Sequence, residues 1–157
     1  AALVNSADLK AALEAGKVAA YVTDFPTEEM LCVDGVIAIP HLGASTPESE
    51  DNCATMAAKE LVDYIENGNI VNSVNFPNCS LHMGGKGRVC ILHRNIPTML
   101  TQFTNLFAEN KQNIADLINK SKKDLAYTII NTDEIITDEI VDKIKVVDGV
   151  LRVRVIK

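Results

Sequence analysis

The sequence predicts an α/β chain in two parts: an incomplete helix–strand–strand–helix segment with parallel strands, then a ferredoxin-like βαββαβ unit. Three observations carry this. The first half alternates helix, strand, loop, strand and helix, the order of α/β architectures. Three glycines in four residues, Gly84, Gly85 and Gly87, then interrupt the chain. Beyond them the periodicities run strand, helix, strand, strand, helix, strand over about 70 residues, which completes a split βαβ unit.

In chain order, Asn5 or Ser6 can cap a helix over residues 7–15, with Leu9, Ala12 and Leu13 on one face and Gly16 as the stop. Residues 18–25 are rich in small and β-branched side chains and read as a strand with Asp24 near its carboxyl end. Pro26, Thr27, Glu28 and Glu29 form a loop. Residues 36–39 are an apolar run too short for a helix, and Pro40 cannot continue a central ladder. Ser45 and Thr46 are both good helix caps; Pro47 suits the first helical position, and Glu48 completes a capping box with Ser45. The helix that follows runs to Asn67 on a stripe of Cys53, Ala57, Leu61, Tyr64 and Ile65, and Asn67-Gly68 ends it with a left-handed cap. Two strands cannot make a covered parallel sheet, so this half is incomplete by itself. Residues 69–77 are extended, because Pro77 disfavours helix before it.

The glycines at 84–87 read as a hinge, which divides the chain into 1–83, 84–87 and 88–157. Past the hinge, residues 88–93 form a strand, and Leu100, Phe103, Leu106 and Phe107 mark a helix over 99–110. Residues 114–119 and 125–130 are strands joined by a polar, lysine-rich tip. Thr137 caps a helix carrying Ile140, Val141 and Ile144, and residues 150–156 alternate valine with arginine as a last strand.

Composition narrows the function. The 157 residues are 47% hydrophobic with a net charge of −6, enough for a packed core and unsuited to nucleic acid as main partner. No apolar run approaches the ~20 residues that span a bilayer, and no charged-then-apolar leader is present, so a cytoplasmic protein is expected. The chain opens without methionine, as if cut from something longer. Cys32, Cys53, Cys79 and Cys90 include no C-x-x-C pair, and reduced thiols are the simplest reading. Cys79-x-x-His82 and Cys90-x-x-His93 suggest zinc, but in a strand Cys90 and His93 point to opposite faces and cannot share one metal. The expectation is therefore no metal.

His41 is the residue with chemistry to offer. It follows the second strand at its carboxyl end, where open α/β sheets place their ligands. A catalytic histidine and a histidine merely closing a strand end both fit that position.

The motif around it decides more. Pro40-His41-Leu42-Gly43-Ala44-Ser45-Thr46-Pro47-Glu48 is preceded by Ala7-Asp8-Leu9 and its helix and by Asp24-Phe25-Pro26-Thr27-Glu28. It is followed by Asn72-Ser73-Val74-Asn75-Phe76-Pro77. This succession resembles the carboxyl-terminal part of the D-isomer-specific 2-hydroxyacid dehydrogenases. The tail, with Gly87-Arg88-Val89, His93-x-Asn95-x-Pro97 and Gln112-Asn113-Ile114, resembles the ACT regulatory domain carried by members of that family. The resemblance implies a partial Rossmann-type domain followed by an ACT domain, in an NAD-linked enzyme acting on 3-phosphoglycerate. It implies His41 as catalytic acid/base and Glu28, or the adjacent Glu29, as the carboxylate that holds it. A carboxylate there stabilises the imidazolium, which suits proton exchange with the substrate oxygen. Asp24, His41 and the turn Leu42-Gly43-Ala44 match the nicotinamide side of the cofactor site.

In the tail, His93, Asn95 and Asn113 match positions that bind L-serine or another amino acid between paired ACT domains, so a homodimer or homotetramer is expected. The first strand, 88–93, is the one expected to pair with its copy. Asn95 and Asn113 also read as ordinary turn residues. Three departures stand out. The family's Gly-x-Gly-x-x-Gly fingerprint and its catalytic arginine are not among these residues, so the chain alone is expected to be inactive. Thr98 stands where the family motif has glycine, which makes the identity of the ACT ligand less secure than the domain.

Overall fold

The computed structural model describes residues 3–156. It falls into two compact units, Ala1–Thr55 and Met56–Lys157, each taken here by itself. In the first, α1 (Ser6–Glu14) is capped by Asn5, whose side chain accepts from the Ala7 and Asp8 amides. β1 (Tyr21–Thr23) and β2 (Val36–Ala38) pair in parallel, Tyr21 opposite Val36, as the α/β order predicts. Between them lies one turn of 3-10 helix, Glu28–Met30. Met30 is the one buried residue among those described in this unit, while Phe25, Ile37 and Leu42 are exposed. An apolar surface of this kind is half of a core.

α2 spans Pro47–Asn67, the bounds the sequence predicts. Its cap differs. Thr46, not Ser45, receives the Ser49 amide; the Thr46 hydroxyl donates to the Ser49 hydroxyl, which in turn donates to the Gly43 carbonyl. With proline at the first helical position, the residue directly before it is the cap. Gly68 closes the helix at φ +74°, its amide on the Tyr64 carbonyl.

The second unit is built on an antiparallel sheet of order β4-β5-β3-β6. Its strands are β3 (Gly87–Arg94), β4 (Ile114–Lys122), β5 (Leu125–Thr132) and β6 (Val150–Val155). α3 (Met99–Glu109) and α4 (Asp138–Lys145) complete the βαββαβ connection, which is the ferredoxin-like arrangement. Alternation divides the strand residues between two faces. Val89, Ile91 and Ile130 pack under Phe103, Phe107, Ile140 and Ile144 from the helices. Cys90, Tyr127 and Ile129 face the other way and are covered by Ile70 and Cys79, with Tyr64, Phe76 and Leu81 around them.

That second core revises the domain reading. Residues 56–83 pack with the sheet, so the compact units divide at Thr55/Met56 and not at Gly84–Gly85. The glycines are packed and not a free linker. A methyl group on Gly85 would run into the Thr132 carbonyl, and one on Gly87 into Thr132 and Glu134. The sheet order corrects the pairing expectation too. β3 is interior, bonded to β5 and β6, and the free edges belong to β4 and β6.

Candidate functional site

The two parallel strands of the first unit bring their carboxyl ends together. Asp24 lies one residue past β1 and His41 three past β2, so the two emerge side by side. His41 Nδ1 is 2.9 Å from Asp24 Oδ2, and Phe25 stands edge-on to the imidazole at 5.6 Å between ring centres. Nδ1 donates to the carboxylate, which leaves Nε2 as the free basic nitrogen. Both side chains are open to solvent, 64% and 48% exposed, so the pair is oriented more than it is electrostatically strengthened.

The expected partner is displaced. Glu28 and Glu29 stand in the 3-10 turn, and no ion pair joins either to His41 among the described residues. Pro26 and that turn carry the glutamates away from the strand end that Asp24 occupies directly. The cofactor-side turn Leu42-Gly43-Ala44 follows His41 and is exposed, and a methyl group built on Gly43 would meet nothing within 4 Å. A planar ring can therefore approach this backbone closely.

The effector positions are distributed unevenly. His93, on β3, is 1% exposed and lies edge-on to Phe103 at 5.2 Å. Its Nδ1 donates to the Arg94 carbonyl at 2.8 Å, so Nε2 accepts from the Thr128 hydroxyl, also at 2.8 Å. Burial pushes its pKa down, and neither ring nitrogen is left for a ligand. This departs from the expected ligand role, because strand alternation sets residue 93 on the helix-covered face with Val89 and Ile91. Asn95 and Asn113 are exposed. Asn95 donates to the Lys123 carbonyl and Asn113 to Asp133, and each keeps its side-chain oxygen free of protein partners among the described residues.

Asn95 and Asn113 cannot meet within one chain. Asn95 follows the Arg94–Leu125 end of the sheet and Asn113 precedes the Ile114–Thr132 end. Those ends are separated by the length of β5, seven residue steps from Leu125 to Thr132, or about 23 Å.

One residue to which the sequence reading gave no structural role is Arg88. It is fully buried at the start of β3. Its guanidinium donates to Asn131 Oδ1 (2.7 Å) and to the carbonyls of Asn67 (2.7 Å), Leu81 (2.9 Å) and His82 (2.6 Å). An arginine opening an otherwise apolar buried strand was the available signal, since such a charge needs a full set of acceptors. Cys79 and Cys90 are buried thiols, Cys79 pushed up to about 11 by desolvation, and so are unreactive.

Fold and site together define an α/β chain that joins a strand-end histidine segment to a ferredoxin-like βαββαβ unit. In sequence the chain is similar to D-3-phosphoglycerate dehydrogenases. The enzyme of that name from Escherichia coli strain K12 is 33% identical over 134 residues, 83% of this chain and 33% of that protein. The Haemophilus influenzae enzyme is 34% identical over 125 residues, 78% of this chain and 30% of that one. D-3-phosphoglycerate dehydrogenase 2 of Saccharomyces cerevisiae is 31% identical over 121 residues, 74% and 25%. The chain thus spans a third or less of these relatives' length. No protein-family model matches it. Among solved structures, the ACT domain from a GTP pyrophosphokinase of Chlorobium tepidum matches 44% of this chain and 94% of that one at 21% identity, with a TM-score of 0.40.

Proposed function

We propose that these residues serve the oxidation of 3-phosphoglycerate to 3-phosphohydroxypyruvate at the entry to serine synthesis, under amino-acid control through the ACT unit. The carrying observation is the similarity to D-3-phosphoglycerate dehydrogenases over 83% of the chain, with His41 held by a carboxylate at a strand end. His41 Nε2 takes the proton of the substrate hydroxyl as its carbon gives up hydride, and in the reverse direction returns it. Asp24 keeps Nδ1 protonated and stabilises the imidazolium so formed. NAD, when bound, supplies the hydride acceptor; Leu42, Gly43 and Ala44 offer it a low backbone wall. The resemblance implies Glu28 for the carboxylate role, and the 2.9 Å contact from His41 supports Asp24.

For the ACT unit, an amino acid would bind between two copies. Pairing of β4 edges about a two-fold axis brings the Asn113 end of one sheet to the Asn95 end of the other. Asparagine amides can donate to the ligand carboxylate and accept from its ammonium. The arrangement is a regulatory homo-oligomer in the cytoplasm. Among the described residues, no helix is long and apolar enough to cross a membrane.

The test is an assay of a polypeptide that carries these residues at the relatives' full length. It should reduce NAD with 3-phosphoglycerate, and His41→Ala should lower the rate by about 10²–10⁴-fold, the worth of a positioned acid/base. Asp24→Asn and Glu28→Gln, compared side by side, identify the partner carboxylate. Near-normal turnover of His41→Ala would refute the assignment.

A further inference from the structure

On the outer face of the four-stranded sheet the second unit carries a half-open cavity of about 520 Å³, within the range of small-molecule sites. Its floor is a row of cross-strand neighbours: Tyr127 on β5, Leu92 on β3 and Arg152 on β6. Exposure rises along that row. Tyr127 is 4% exposed, Leu92 half-buried and Arg152 exposed. Ile70 and Phe76 wall the apolar end, and Leu61 comes from α2.

Three charged groups border the space, and two are already committed. Arg154 donates to the Tyr64 and Ile65 carbonyls at 3.2 and 3.1 Å, closing the last turn of α2, and lies 4.4 Å over the Tyr64 ring. Glu60 accepts from the Asn72 amide at 2.6 Å. Arg152 makes no hydrogen bond or ion pair among the described residues. The cavity therefore runs from a dry apolar end to one uncommitted guanidinium, a fork suited to a carboxylate.

We propose that this cavity binds a medium-chain aliphatic carboxylate, its tail over Leu92 and Tyr127 and its head on Arg152. The apolar lining provides the affinity through burial of methylenes, and the guanidinium fixes the direction of entry. The cavity lining includes neither His41 and Asp24 nor Asn95 and Asn113. Its occupation does not depend on the dehydrogenase reading.

Calorimetric titration of the purified chain with decanoate, below the concentration at which decanoate self-associates, tests this. One molecule should bind per chain, with amide shifts in nuclear magnetic resonance confined to residues 57–76, 90–92, 127 and 152. Decan-1-ol and decylamine should each bind at least tenfold more weakly. Arg152→Ala, at an exposed position, should weaken decanoate about tenfold, the scale of one charge-assisted hydrogen bond. Ala57→Phe, at an exposed position on the rim of the cavity, should fill the cavity and abolish binding while circular dichroism stays unchanged. No binding, or decanol as tight as decanoate, overturns the proposal. A preference for decylamine would assign the site to Glu60 and overturn it equally. Binding unchanged in both folded variants would place decanoate elsewhere and do the same.

Discussion

Thr98 shows how much a single side chain can reveal. The family motif has glycine there, and the structure gives the reason: the residue stands before α3 at φ +70°, the region glycine occupies without cost. A β-branched side chain in that conformation is strained by ~1–2 kcal/mol. Its hydroxyl caps nothing and only accepts a 3.3 Å contact from Gln102. Thr98→Gly should therefore raise the urea midpoint, by about 1 kcal/mol in stability, and an unchanged or lowered midpoint would show that the strain is compensated elsewhere. His93 makes a second residue-scale prediction. Its pKa is lowered by burial, so the unfolded chain binds the proton more readily than the folded one. Its contribution to stability is complete above the unfolded value of about 6.5 and is lost as pH falls below it through the folded value. Denaturation midpoints at pH 7.5 and pH 5 should differ in that direction, and His93→Gln should flatten the difference.

At the scale of elements, the Arg88 guanidinium ties β3 to the end of α2 and to the 81–82 segment. Arg88→Met would leave the Asn67 and Leu81 carbonyls and Asn131 Oδ1 without a donor, while the His82 carbonyl keeps Asn131 Nδ2, a loss of about 1–3 kcal/mol for each orphaned acceptor. Hydrogen exchange should then accelerate in residues 64–83 before it does in α3. Uniform acceleration would contradict a local clamp. Most elements were legible because their signals are local. Pro47 and Gly68 bracket α2, and the valine–arginine alternation marks β6. The packing of 84–87 was not legible, because glycines needed for close approach to Thr132 and glycines of a flexible linker have the same composition. The interior place of β3 follows from the ferredoxin-like order once that order is recognised, and a reading of edge propensity alone misses it. Residues 69–81 had no periodicity to announce that Ile70 and Cys79 close the second core. The His41 partner was missed for a related reason: the resemblance carries residue roles, and the pairing with Asp24 depends on where each loop leaves its strand.

At the scale of the molecule, the first unit shows apolar side chains without a core and the second shows a complete one. The exposed His41–Asp24 pair lies in the first unit and the two asparagines lie in the second. Because Asn95 and Asn113 stand at opposite ends of one sheet, an amino acid that uses both must join two chains, and by linkage it must strengthen their association. Asn95→Ala should abolish that strengthening and leave the fold intact, since the side chain is exposed and gives up only its bond to Lys123. The most direct measurement is sedimentation velocity of the purified chain with and without L-serine. The account predicts a dimer whose dissociation constant falls when serine is added, and a wild-type effect absent from Asn95→Ala. A chain that stays monomeric at every serine concentration would contradict it.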